Sequence, residues 1–369
     1  MTTAEDTYWM QQALALARKG EGCTRPNPPV GAVLVKNGRL IGQGWHRRAG
    51  KPHAEIEALK NTGTDAAGAT LYVTLEPCST WGRTPPCTDA LIAARLKRVV
   101  AAILDPNPLH SGNGLKILRR AGLAVSRGSC AQAAAELIAP FACRVKTGRP
   151  FLTLKLAMTL DGRIADRNGR SKWITGSASR TAVQALRRRA DAIMVGVDTV
   201  LRDDPSLWPR PARGRRPLRI IVDTMGRSRL DAQVLSDRHA GQTVIATTRQ
   251  CPPRRVDAFR RCGADVWVLP GKKQVSLKLL LKKAGQQGLL HILCEGGGLL
   301  AESLLQQQLV DRGEFFYAPK VAGDDRALSA FRGRGWLLPA MPRFAVMSVE
   351  CLAPDVRVTV RPQGKPGTP

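Results

Sequence analysis

The sequence predicts an α/β protein built from two domains, and three observations carry that reading. Short apolar runs alternate with helical patterns along the whole chain. The alternation lapses at Gly148-Arg149-Pro150 and restarts at FLTLKLAMTLDGRIA. A chain of 369 residues is long for one core and comfortable for two. The boundary is placed near Thr147, giving domains 1–146 and 147–362, and the tail, 363–369, is too rich in Gly and Pro to order. No repeat of fixed period appears, so the halves are different domains rather than copies.

Each element has a local reason. YWMQQALALARK spaces its apolar residues for a helix, and GEGCTRPNPP breaks it. VGAVLVKNGRLIGQGWH reads as a β-hairpin turning at Asn37-Gly38. HAEIEALKNTG is a helix ending near Gly63, and ATLYVTLEP is a strand followed by a Pro/Cys-rich loop to Cys87. TDALIAARLK, RVVAAILDP, GLKILRRAG and LAVSRG read as helix, buried strand, helix and short strand. AQAAAELIAPFACRVKTGRP is a helix running into the linker. Beyond it, DAIMVGVDTV, LRIIVDT, TVIATT, DVWVLP and LLHILCEGG are short apolar strand candidates bounded by turn residues.

Composition narrows the function. Hydrophobic content of 43% with 23% charged residues is that of an ordinary globular protein, and no run approaches the length of a membrane span. The polar, mildly acidic start MTTAEDTYWMQQ does not read as an export signal, so a cytoplasmic protein is expected, with its nine cysteines reduced or metal-bound. The net charge of +28 invites a nucleic-acid reading. Yet residues 1–148 carry 19 basic and 10 acidic groups (net +9), leaving 38 and 19 (net +19) for the remainder, so both halves are basic. The clusters, such as Arg187-Arg188-Arg189 and Lys282-Lys283, are short and lack interleaved aromatics. A solvated basic surface, or sites for phosphorylated small molecules, is the better reading.

One constellation carries chemistry. His53-Ala54-Glu55 is followed by Glu76-Pro77-Cys78 and, after eight intervening residues, by Cys87, and each cluster follows a predicted strand or loop and opens a predicted helix. Residues two apart do not share a helical face, so His53 and Glu55 can act together only at the loose first turn. One His and two Cys supply three ligands for tetrahedral zinc and leave a fourth position open, the mark of a catalytic site. Glu55 is then the carboxylate beside the metal that moves a proton. The zinc deaminase signature joins H-x-E to P-C-x-x-C; here the cysteines enclose eight residues rather than two. Alone, HAE is a capped surface helix, but all parts in this order make a zinc site of His53, Cys78 and Cys87. The other cysteines and His46, His110, His239 and His291 have no such context.

PNPPVGAVLV, HAEIEAL and VTLEPCSTWGRTPPCTDAL resemble the deaminase half of the bifunctional deaminase–reductase family of riboflavin biosynthesis, in which the long cysteine loop is the usual form. KLAMTLDGRIA, SKWITG, ADAIMVGVDTVLRDDPSL and CEGGGLLAESLL resemble its reductase half. The likeness covers the chain except its tail. It implies a cytidine-deaminase-like α/β/α domain followed by a dihydrofolate-reductase-like α/β domain, one zinc ion, NADPH, phosphorylated pyrimidine substrates, and a homo-oligomer formed through the reductase domain. On this resemblance Asn27 contacts the pyrimidine, while Thr80 stands where many members carry histidine.

The second half has no G-x-G-x-x-G. Its strand–GGG–helix segment around Gly296, Gly297 and Gly298 is either a phosphate cradle or a tight turn without a ligand. The resemblance implies that Met158, Trp173, Thr199, Asp203, Thr224 and these glycines lie along NADPH. It places Ser171, Arg187, Leu207, Arg210 and Glu295 against the ribose phosphate, with Lys155 approaching the sugar. By residue type alone Arg187 is either a phosphate fork or a solvated member of its run. Trp208-Pro209 replaces a small polar residue, and Gly298 a common proline. Two rivals are weighed: a nucleic-acid deaminase, against which the cysteine loop and the DDPSL and EGGG motifs argue, and a pseudoenzyme whose second half only binds a nucleotide or builds an oligomer, which NADPH binding without turnover would favour.

Overall fold

The structure is a computed structural model and describes residues 3–62, 65–82, 85–211, 215–271 and 273–364. From residue 365 onward the tail lies outside the described residues, as do Arg83 and Thr84 of the cysteine loop. The chain divides into two compact units, Met1–Arg149 and Pro150–Pro369. Among the described residues no helix is long and apolar enough to cross a membrane.

In chain order the first unit comprises α1 (Ala4–Arg18), β1 (Gly31–Lys36), β2 (Arg39–Trp45), α2 (Ala54–Lys60), β3 (Thr70–Val73), α3 (Cys87–Ala93), β4 (Arg98–Ala101), α4 (Asn113–Arg120), β5 (Ala124–Arg127), α5 (Ala131–Leu137) and α6 (Ala139–Thr147). The sheet runs β2-β1-β3-β4-β5, antiparallel through β3 and parallel beyond it. Strand periodicity divides its side chains between two cores. Leu34, Leu71 and Val99 pack with residues of α2, α3 and α4, whereas Val33, Tyr72 and Val100 pack with α1 and α5. Thr3 caps α1 through a reciprocal capping box with Asp6. The Asp6 carboxylate also takes Arg98 at 2.8 and 2.9 Å and the Tyr72 hydroxyl at 3.1 Å, tying the helix to β3 and β4. The helix expected from Ala131 onward is divided at Ile138, because Pro140 has no N–H to continue the ladder.

The second unit comprises β6 (Phe151–Thr159), β7 (Arg163–Ala165), α7 (Ser177–Arg189), β8 (Ala192–Gly196), α8 (Val197–Asp203), β9 (Leu218–Val222), α9 (Gln233–Ser236), β10 (Thr243–Thr247), α10 (Pro253–Arg261), β11 (Asp265–Val268), α11 (Leu277–Gln286), β12 (His291–Cys294), α12 (Gly298–Gln306), β13 (Arg312–Ala318), β14 (Leu328–Ser329), β15 (Phe344–Leu352) and β16 (Asp355–Pro362). Its nine-stranded sheet runs β11-β10-β9-β8-β12-β6-β13-β16-β15, parallel as far as β13 and antiparallel over the last two pairings. Met194 and Ile220 face one core with α11 and α12; Ile193, Val195 and Ile221 face the other with α7 and α10. DAIMVGVDTV is a strand only as far as Gly196 and then turns into α8, where burial of Val197 and Val200 outweighs β-branched propensity.

Candidate active sites

His53 immediately precedes α2, its backbone extended at φ −72° and ψ 167°, so it is outside the helical geometry that would separate it from Glu55. Cys87 is the first residue of α3. Cys78 does not open a helix as expected. It lies in the loop after β3 and reaches the mouth of α3, accepting the Cys87 N–H at 3.3 Å. His53 Nδ1 is 3.5 Å from the Cys78 sulfur and 3.3 Å from that of Cys87, and the three ligand atoms lie within 4.8 Å of one another. Tetrahedral bonds of about 2.3 Å to sulfur and about 2.05 Å to nitrogen give N···S edges of roughly 3.6 Å. Donor set and spacing therefore fit zinc.

A hydrogen bond from the Cys87 thiol, with His53 adding to it, outweighs burial and holds the Cys78 thiol well below its ordinary range, which suits it to ligate a metal as a thiolate. The Cys87 thiol is pushed up by holding that shared proton and by burial. Glu55 sits in the first turn of α2, 3% exposed, and burial pushes its carboxyl up to about 7.

Several supporting residues carry no motif. The Glu76 carboxylate accepts the N–H groups of Asp105, Gly112 and Leu115 at 3.1, 2.8 and 3.3 Å, fastening the end of β3 to the loop before α4 and to α4 itself. Gly114 lets α4 approach so closely that a Cβ there would lie 2.1 Å from the Pro77 carbonyl oxygen. Burial lowers the pKa of His46, favouring its neutral form. Its Nδ1 lies 3.1 Å from the Pro52 carbonyl, so Nδ1 donates there. Nε2 then accepts from the Asn27 amide at 3.1 Å, leaving Asn27 Oδ1 to accept from a ligand. Asn27, His46 and Glu76 border a cavity of about 340 Å³ that His53, Glu55 and Cys78 also line and that meets Thr80 and Asp105. Glu76 was visible beside Cys78 in sequence, but the N–H groups it would meet were not.

In the second unit the strand order changes direction where β12 lies between β8 and β6, and ligands of open α/β sheets bind beyond the carboxyl ends of strands at such a point. Gly296 and Gly297 follow β12, and a Cβ on Gly297 would lie 3.7 Å from Thr199 Oγ1 of α8. Gly298 begins α12 against the Ser329 carbonyl, where a Cβ would approach to 2.6 Å. Ser171 Oγ donates to Asp203 at 3.0 Å, and Thr224 Oγ1 accepts from the Val275 N–H at 3.3 Å. Trp173 is exposed, with the Arg180 guanidinium 4.8 Å from its ring centre.

Arg187 and Glu295 form a two-point ion pair, and Arg187 Nη1 also donates to the Trp208 carbonyl at 3.2 Å. Lys155 feels both charges, and burial lowers its pKa. Arg210 is exposed and donates to Ser206 Oγ at 3.3 Å. Met158 and Leu207 are buried in the two cores, and Leu207 adopts a left-handed φ of 59°.

Residues 150–358, more than half of the chain, match the family model of the RibD C-terminal domain. The chain belongs to the RibD family. Residues 3–103 match the cytidine and deoxycytidylate deaminase zinc-binding region. The RibD riboflavin biosynthesis protein of Aquifex aeolicus is 46% identical over 86% of this chain and 88% of its own. That of Escherichia coli is 41% identical over 95% and 98%. Among solved structures, Acinetobacter baumannii RibD superposes with a TM-score of 0.87 at 40% identity, covering 98% of this chain and 99% of its own. A Thermotoga maritima deaminase/reductase superposes at 0.86 and 36% identity, covering 97% and 99%.

This RibD chain is accordingly a bifunctional deaminase and reductase of riboflavin biosynthesis, acting on pyrimidines. Its first unit carries the zinc-binding motif His53, Cys78 and Cys87, and its reductase unit implies a nicotinamide cofactor. The family expected from the motifs is the family found.

Proposed function

We propose that the first unit hydrolytically deaminates 2,5-diamino-6-(5-phosphoribosylamino)pyrimidin-4-one to 5-amino-6-(5-phosphoribosylamino)uracil, and that the second reduces the ribosyl side chain of that product to ribityl with NADPH. The supporting observation is the buried Glu55 carboxyl lining the same cavity as His53 and Cys78 of the three-ligand cluster. The Thermotoga maritima relative is described as a diaminohydroxyphosphoribosylaminopyrimidine deaminase and 5-amino-6-(5-phosphoribosylamino)uracil reductase.

When bound, zinc lowers the pKa of a coordinated water to about 7 and so supplies the nucleophile. Glu55 accepts the proton released by the nucleophile and delivers it to the departing amine. Burial suits it to both roles, because a carboxyl raised to about 7 exchanges protons readily at neutral pH. Asn27, oriented by His46, accepts from an N–H of the pyrimidine.

Bound in the reductase unit, NADPH would supply a hydride for C1′ of the opened sugar. Thr199, Asp203, Thr224, Trp173, Met158 and the Gly296–Gly298 turn would hold the cofactor. Arg187 and Glu295, preorganised by each other, face the sugar with Lys155, while Ser171, the Leu207 turn and the exposed Arg210 meet the ribose phosphate.

The unit also offers an oligomer surface. β15 is the last strand of the sheet, exposing Val346, Met347 and Val349, and Leu337 and Leu338 are exposed as well. An apolar sheet edge of this kind supports association of two copies through the reductase unit. A cytoplasmic setting would keep Cys78 and Cys87 reduced and able to ligate the metal.

The deaminase assignment is tested with the diaminopyrimidinone phosphate and zinc-loaded protein without nicotinamide. One ammonia per substrate, with the aminouracil phosphate accumulating, is expected; an unchanged substrate would contradict it.

A further inference from the structure

Trp208 stands at the centre of a polar network that the reductase chemistry does not itself require. Its indole is 8% exposed, and Nε1 donates to Asp237 Oδ2 at 2.8 Å. The same carboxylate takes both terminal nitrogens of Arg219, at 2.7 and 2.9 Å, and the His239 N–H at 3.0 Å. Arg219 is fully buried. It donates further to Thr243 Oγ1 and to the carbonyls of Val234 and His239 at 2.9, 2.9 and 3.0 Å, and its guanidinium lies 4.2 Å from the Trp208 ring centre. On its other side, the Trp208 carbonyl accepts from Arg187, which holds Glu295. An unbroken chain of contacts thus runs Arg219–Asp237–Trp208–Arg187–Glu295.

Burying an ion pair such as Arg219–Asp237 is not in itself a route to stability, since well-packed apolar residues commonly do as well. A fully satisfied buried network does fix geometry. Here the fixed object is the segment carrying Leu207 and Trp208.

We infer that Asp237, braced by Arg219, is a positioning residue of the reductase. Through the Trp208 indole it fixes the carbonyl that keeps Arg187 in register with Glu295, and so sets affinity for the phosphorylated sugar rather than the rate of reduction. The inference rests on the reading above that Arg187 and Glu295 face that substrate.

Kinetics of both activities in full-length Trp208→Phe, Asp237→Asn and Arg187→Ala test it. Trp208→Phe keeps the ring and removes the donor. Asp237→Asn forces an amide nitrogen against an N–H, because both carboxylate oxygens already accept. Each is expected to raise the reductase KM for the aminouracil phosphate about tenfold, the size of one lost hydrogen bond. Reductase kcat, the KM for NADPH and the deaminase rate stay within twofold, and a variant carrying both Trp208→Phe and Asp237→Asn is no worse than the more affected of the two single variants. Unchanged substrate KM in Trp208→Phe and Asp237→Asn, with a raised KM in Arg187→Ala, overturns the inference alone. An unchanged KM in Arg187→Ala as well would sink the underlying reading. A fall in kcat of both activities at constant KM would reduce the network to a structural staple and overturn the inference. If Asp237→Asn does not fold, Trp208→Phe decides by the same criteria.

Discussion

Arg187 and Glu295 meet through two parallel hydrogen bonds, Nε to Oε1 at 2.7 Å and Nη2 to Oε2 at 2.9 Å, with side chains 15% and 9% exposed. Removing one partner of such a pair strands the other charge, at a cost of about 3–5 kcal/mol. Arg187→Ala should therefore lower the melting temperature of the reductase unit and raise the reductase KM, while deamination is unaffected. Thermal unfolding and kinetics of both activities check this. Wild-type stability together with a wild-type KM would show that the pair matters to neither.

Glu55→Gln preserves shape and removes the proton carrier. It should retain one zinc per chain and lose roughly 10²- to 10⁴-fold in deaminase kcat, the usual worth of a positioned acid–base group. Reductase kinetics should not change. Zinc analysis beside ammonia release decides; loss of the metal would make Glu55 a ligand rather than a proton carrier.

Gly114 tests the support of the metal loop. Adding a methyl group to α4 at this position must displace the Pro77 carbonyl, next to Cys78. Gly114→Ala should weaken zinc by about 10- to 100-fold, the range for residues that orient metal ligands. Competition with a chelator measures it, and unchanged zinc affinity would mean the loop adjusts freely.

Asp6 offers a pH test. Burial alone would raise its pKa, but the Arg98 hydrogen bonds, the Thr3 N–H and the Tyr72 hydroxyl outweigh it and hold the carboxyl below its ordinary value. A depressed folded pKa means stability present above the unfolded value of about 3.9 and lost as pH falls through the folded one. Asp6→Asn should be less stable than wild type at pH 7, and the gap should close with acidification below pH 4. Denaturant melts across that range check it; a gap independent of pH would assign the loss to packing.

Much of this was legible in the sequence because the signals are local. The order of His53, Glu55, Cys78 and Cys87 marked the metal site, and apolar strand runs such as LRIIVDT marked the second sheet. What escaped depends on partners distant in sequence. Nothing near Glu76 announces that it will collect N–H groups from residues 105 to 115, and nothing near Arg187 announces Glu295. The β15–β16 hairpin was not anticipated, although Val356, Val358 and Val360 alternate as a strand should. Pro140 in AQAAAELIAPFACRVKTGRP was a visible break that the helical composition around it obscured.

The central claim is that one chain performs two successive reactions at two sites. It is tested most directly by following ammonia release and NADPH oxidation together, on purified zinc-replete protein supplied with the diaminopyrimidinone phosphate. Ammonia release that precedes NADPH loss, both proceeding to one equivalent, is the predicted result. NADPH oxidation without prior ammonia release, or neither signal, would contradict it.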